Sequence, residues 1–106
     1  MQPLTNDATT ALLRAITRVI GAEVTFEEIR SRSWASVTFT GARHEVAMLL
    51  KGDAAAAAAE RFVADLDVAE FRLRGHILAD IALVQKEDAP HGGVRIRVEA
   101  LTVEDA

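Results

Sequence analysis

Apolar residues recur at helical spacing near the start of the chain, where Ala8, Leu12, Ala15, Ile16, Val19 and Ile20 fall on one stripe. The pattern predicts a helix from about Asp7 to Ile20, capped by Thr5 or Asn6 and ended by Gly21, with Arg14 and Arg18 on its wet side. From Glu23 the period shortens to two. Val24 and Phe26 alternate with Glu23, Thr25 and Glu27, which predicts a strand. Ile29 falls out of phase, so either a bulge near Glu27 and Glu28 restores the alternation or the strand ends there.

Residues 34 to 50 alternate on both sides of Gly41-Ala42, and glycine in the first central position is what a two-residue type II′ hairpin requires. That turn pairs Phe39 with His44, Val37 with Val46 and Ala35 with Met48 on a core face. The opposite face carries Trp34 against Leu49, Ser36 against Ala47, Thr38 against Glu45 and Thr40 against Arg43. A second helix follows, with Asp53 as its cap, an alanine-rich start, and a buried stripe of Ala55, Ala59, Phe62, Val63 and Leu66. Asp67 and Glu70 have capping-box spacing and predict a short extra turn before Phe71.

A last hairpin runs from about Arg74 to Glu87, turns at residues 88 to 93, and returns from Val94 to about Val103. Its alternation assigns Ile77, Ala79, Ile81 and Leu83 to the core with Ile96, Val98 and Ala100. The other face receives His76, Leu78, Asp80, Ala82 and Val84 beside Arg95, Arg97, Glu99, Leu101 and Val103. The whole chain then reads as a single domain spanning residues 1 to 106. Its predicted class is α+β, a two-layer sandwich of about five mostly antiparallel strands with two helices on one face, in the order α-β-β-β-α-β-β.

That arrangement leaves one sheet face uncovered. Asp80, in the middle of the apolar run Ile77 to Val84, lands there rather than in the core, where an unpaired carboxylate is costly. The same face is too apolar for plain solvent surface, because Trp34, Leu49, Leu78, Val84, Leu101 and Val103 all project from it. The expected role is therefore a non-enzymatic homo-oligomerising or protein-interaction module, in its simplest form a homodimer. Trp34, Leu49, His76, Leu78, Asp80, Arg95, Arg97 and Leu101 are the candidate interface or ligand-binding residues, with Arg97 and Arg95 the first candidate partners of Asp80. The alternative is a small-molecule pocket or small enzyme site on that face around Asp80 and His76. Those two lie four residues apart on one strand, roughly 13 Å along it, so substrate or water would have to stand between them.

Composition narrows the chemistry. No cysteine is present, which excludes disulfides, thiolate metal sites and cysteine nucleophiles. His44 faces the core and His91 sits in a glycine-rich loop, so neither joins His76 and Asp80, and no metal or other cofactor is implied. No phosphate loop or serine-nucleophile motif occurs. Net charge is -4 with mixed signs, which weighs against nucleic acid even though Arg72, Arg74, Arg95 and Arg97 could gather near one end of the last hairpin with Trp34 or Phe71 to stack. The start lacks a basic n-region and no apolar run approaches the length of a membrane span, so a soluble cytoplasmic protein with no membrane partner is expected. Ten of the twelve basic residues are arginine and twenty positions are alanine, a bias that suggests a GC-rich bacterial origin.

Overall fold

The computed structural model describes the backbone of residues 4–105 and the side chains of residues 8–105. Helix α1 (Leu4–Ile20) begins earlier than its apolar stripe, and capping by Thr5 or Asn6 lies outside the described side chains. Leu12, Ile16 and Ile20 are buried as their spacing requires, and Gly21 ends the helix in the left-handed region at φ +66°. Strand β1 (Glu23–Ala35) then pairs with β2 (Thr40–Lys51), α2 (Ala55–Asp65) crosses over, and β3 (His76–Asp88) returns through a single 3-10 turn (Pro90–Gly92) into β4 (Val94–Glu104). The sheet has four strands in the order β1-β2-β4-β3, every neighbouring pair antiparallel.

The fold class is the expected α+β, with four strands where five were expected. The difference lies between Glu23 and Thr40. A register shift between Phe26 and Glu28 is the anticipated bulge, and it lets β1 run unbroken to Ala35 instead of ending near Ile29. The turn then falls at residues 36–39, not at Gly41-Ala42. Ser36 closes it: its N–H donates to the Phe39 carbonyl at 2.7 Å, and its Oγ accepts from the Phe39 N–H at 3.1 Å. Val37 and Phe39, expected in the core, are exposed on this loop. Trp34 consequently pairs with Gly41 rather than Leu49.

Gly41 is a strand residue for a tertiary reason. A Cβ there would fall on the Thr102 carbonyl oxygen of β4 and lie 3.1 Å from the Trp34 ring, so only glycine fits between them.

Both helices cover the same side of the sheet. Leu12, Ile16 and Ile20 of α1, together with Ala55, Ala58, Ala59 and Phe62 of α2, pack on Val46, Met48 and Leu50 of β2 and on Val94, Ile96 and Val98 of β4. Fully burying side chains of this size contributes about 1.5–3 kcal/mol each, and the alanines let α2 approach the sheet closely. Asp53 does not cap α2. The N-cap position is Ala54 with no side-chain bond, and the Ala55 N–H donates to the Gly52 carbonyl at 3.1 Å instead. The turn expected at Asp67 extends α2 through its backbone, with the Val68 and Ala69 N–H groups both donating to Asp65 O.

Candidate functional site

The sheet face away from the helices is covered by no described element, and its register fixes what it displays. Paired residues share a face, so the open face reads in rows across β1, β2, β4 and β3. Nearest the β1–β2 turn stand Trp34, Gly41, Val103 and Ile77. The next row is Arg32, Arg43, Leu101 and Asp80, followed by Arg30, Glu45, Glu99 and Ala82. Beyond them come Glu28, Ala47, Arg97 and Gln85, then Thr25, Leu49, Arg95 and Glu87.

The face is thus apolar at one end and charged over the rest. Trp34, Leu101 and Val103 are half-buried and Ile77 is 52 % exposed, while Val37 and Phe39 project from the adjoining turn. The indole Nε1 of Trp34 is buried and has no hydrogen-bond partner among the described residues.

At the charged end the β1 bulge presents Glu27 and Glu28 in succession. Arg95 reaches across β2 to Glu27 with Nε–Oε1 at 3.1 Å and Nη2–Oε2 at 3.4 Å, a bidentate pair. Arg97 reaches Glu28 at 3.3 Å, and Arg30 meets the other oxygen of Glu28 at 3.1 Å. The bond from Glu27, and secondarily its charge, holds the Arg95 guanidinium above its ordinary value. The two arginines arch over the neighbouring rows of Ala47 and Leu49, which leaves Leu49 half-buried within its own chain.

Arg95 and Arg97 are therefore not the partners of Asp80. Asp80 is exposed beside Leu101, and no ion pair reaches it among the described residues. Arg32 and Arg43, directly opposed on β1 and β2, likewise have no carboxylate within ion-pair distance among the described residues. Like charges so placed destabilise a sheet unless something neutralises them. Asp80, Arg32 and Arg43 border a depression of about 350 Å³.

Two expected members of the face lie elsewhere. A register shift between Leu78 and Asp80 inserts Ala79 as an extra residue, which exchanges the faces of everything before it. Leu78 consequently packs toward the helices beside Thr102, and Ile77 takes the open face instead. His76 is buried at the helix-side edge, paired with Glu104, and lines a different cleft from Asp80. The two no longer share a face, so the acid/base pairing considered for them has no geometry. A second shift, between Leu83 and Gln85, places Val84 in a bulge of the exposed edge strand at 50 % exposure. Arg30 and Arg32 join the face because β1 takes the bulged alternative and continues past Ile29. Continued alternation of Ile29, Ser31 and Ser33 against Arg30, Arg32 and Trp34 was the signal for them.

The histidine on the core face behaves as the alternation indicates. His44 is 1 % exposed, with Nδ1 2.8 Å from Ser31 Oγ and Nε2 2.9 Å from Thr102 Oγ1. Burial, and secondarily the charge of His76, lowers its pKa from the ordinary histidine value. His91 is exposed at the loop tip with φ 62°. Among the described residues no three His, Asp or Glu side chains gather as metal ligands, and no helix is long and apolar enough to cross a membrane.

No family model and no curated protein matches the chain. Two solved structures superpose on the chain. One chain of the virion of a native gene transfer agent particle superposes with a TM-score of 0.56 at 17 % identity, over 98 % of this chain and 100 % of that one. The type 4 fimbrial biogenesis protein PilO from Pseudomonas aeruginosa superposes with a TM-score of 0.48 at 20 % identity, over 96 % of this chain and 70 % of that one.

Proposed function

We propose that the protein is an interaction module that self-associates through the uncovered face of its sheet. One observation carries this: the apolar row of Trp34, Val103 and Ile77 lies beside a row in which Arg32, Arg43 and Asp80 have no ion-pair partners among the described residues. An apolar patch bordered by unneutralised charge is the surface of a protein that meets another.

A homodimer covers both rows at once. A two-fold axis running along the strands at the apolar end sets β1 of one copy over β3 of the other, because those are the two edges of the sheet. Trp34 then lies over Ile77, and Arg32 over Asp80, on both sides of the axis. Rows farther from the turn would bring Glu45 toward Glu99, which confines the contact to the apolar end. The occurrence of the fold in a virion particle is in keeping with an associating role.

Sedimentation of wild type against Trp34→Asp and Leu101→Asp tests the proposal. The wild type is expected as a dimer and both variants as monomers of native circular dichroism. A monomeric wild type, or variants of unchanged mass, overturns it, and Leu101→Asp decides the matter if Trp34→Asp does not fold.

A further inference from the structure

The geometry points to a second site, an anion-binding cleft on the helix side of the sheet that takes a compact, phosphate-bearing small molecule. This cleft, of about 870 Å³, lies between α1 and the segment leading into β3, on the opposite face of the sheet from the proposed dimer contact. Arg14 and Arg18 line it from one wall and Arg72 and Arg74 from the other. Four arginines thus line one hollow of a chain whose net charge is -4.

Their charge is only partly neutralised, although Glu104 and Asp105 also line the cleft. Arg72 pairs with Glu70 at 3.1 Å, an exposed contact of little strength. Arg14 and Arg74 have neither an ion pair nor a side-chain hydrogen bond among the described residues. Arg18 is differently used. Its Nη2 donates to the Arg72 carbonyl at 2.8 Å and ties the two walls together.

His76 supplies a second, independent sign. It lines the same cleft, is 8 % exposed, and bonds through Nδ1 to the Arg74 carbonyl at 3.0 Å. A carbonyl only accepts, so Nδ1 donates in that bond. Nε2 is buried and has no partner among the described residues. A buried polar atom left unpaired among the described residues marks the place of a missing partner. A hydroxyl adjoining the phosphate, or a water carried with it, fills that role.

Arginine forks match phosphate oxygens two at a time, which makes this donor set suited to phosphate rather than to a lone monovalent ion. The ligand is compact because Glu104 and Asp105 also line the cleft, and their carboxylates repel a polyanion that extends over them. The volume is that of a small-molecule site.

Calorimetric titration of the full chain with inorganic pyrophosphate at low salt tests the inference, with Arg14→Gln/Arg74→Gln beside the equal-charge control Arg61→Gln/Lys86→Gln. The expected result is saturable binding at one site per chain, weakened about tenfold or more in the first variant and little changed in the second. Absence of saturation at millimolar pyrophosphate overturns the inference, as does equal weakening in both variants. Tighter binding of a single-stranded oligonucleotide, rising with its length, overturns the compact ligand in favour of a nucleic-acid backbone. If the double variant does not fold, the single variant Arg74→Gln is read in the same way.

Discussion

His44 Nε2 lies 2.9 Å from Thr102 Oγ1, joining β2 to β4 through a buried hydrogen bond inside an otherwise apolar layer. The neighbouring groups set its direction. Thr102 Oγ1 donates to the Ala42 carbonyl at 3.4 Å, so it accepts from His44, and Nε2 carries the proton. Nδ1 is then the acceptor for Ser31 Oγ, which in turn lies 2.8 Å from Thr9 Oγ1 on α1. A neutral histidine is fully satisfied in this chain of hydroxyls. Thr102→Val keeps the volume and removes the acceptor, leaving a buried N–H without a partner. A loss of about 1–3 kcal/mol is expected in urea unfolding, and an unchanged midpoint would show that the bond contributes nothing.

Protonating His44 reverses the polarity of its bond to Ser31 and adds a charge to the core. Its folded pKa lies below the unfolded value of about 6.5 because burial, and then His76, disfavours the charged form. The unfolded chain therefore binds more protons as pH falls below about 6.5. Stability from this group is fully present above that pH and is lost as pH falls toward the lowered folded pKa. Urea midpoints measured from pH 7.5 down to 5 should fall, with a shallower slope in His44→Gln (about 6.5 marking the onset). Parallel slopes in the two proteins would remove His44 as the cause.

Gly41 is the most constrained backbone position on the open face. Gly41→Ala sets a methyl group against the Thr102 carbonyl and the Trp34 ring, both held by the sheet. β2 and β4 must part locally, which is expected to cost at least about 2 kcal/mol. A melting temperature within experimental error of wild type would mean that the strands move apart freely there.

The bulges explain which parts of this molecule the sequence made legible. At Glu27-Glu28 the extra residue shows itself, since Ile29 breaks an alternation of apolar and charged positions. At Ala79 it does not, because the run from Ile77 to Val84 is apolar on both sides of the shift and alanine fits either face. His76 and Leu78 were therefore assigned to the wrong side, whereas Asp80 and Ala82, which follow the bulge, fell on the correct one. Gly41 misled in another way: a glycine beside an alternating run suits a turn equally well, and the close approach of Thr102 comes from a strand sixty residues away. The arginine cleft escaped for the same reason, since Arg14 and Arg18 meet Arg72 and Arg74 only through tertiary packing.

Asp80 and Arg32 provide the sharpest test of the proposed dimer. They stand in one row on opposite edge strands, three strand spacings or roughly 14 Å apart, so they form no pair within a chain. Across the two-fold axis proposed above they meet twice, once on each side. Asp80→Arg alone places a cation against Arg32 and is expected to weaken association by about tenfold or more, as is Arg32→Asp alone. Combining the two exchanges the charges and restores attraction, so the double variant should recover most of the wild-type dimer in sedimentation. Additive weakening in the double variant would show that the residues do not meet, and would place the contact elsewhere on the sheet.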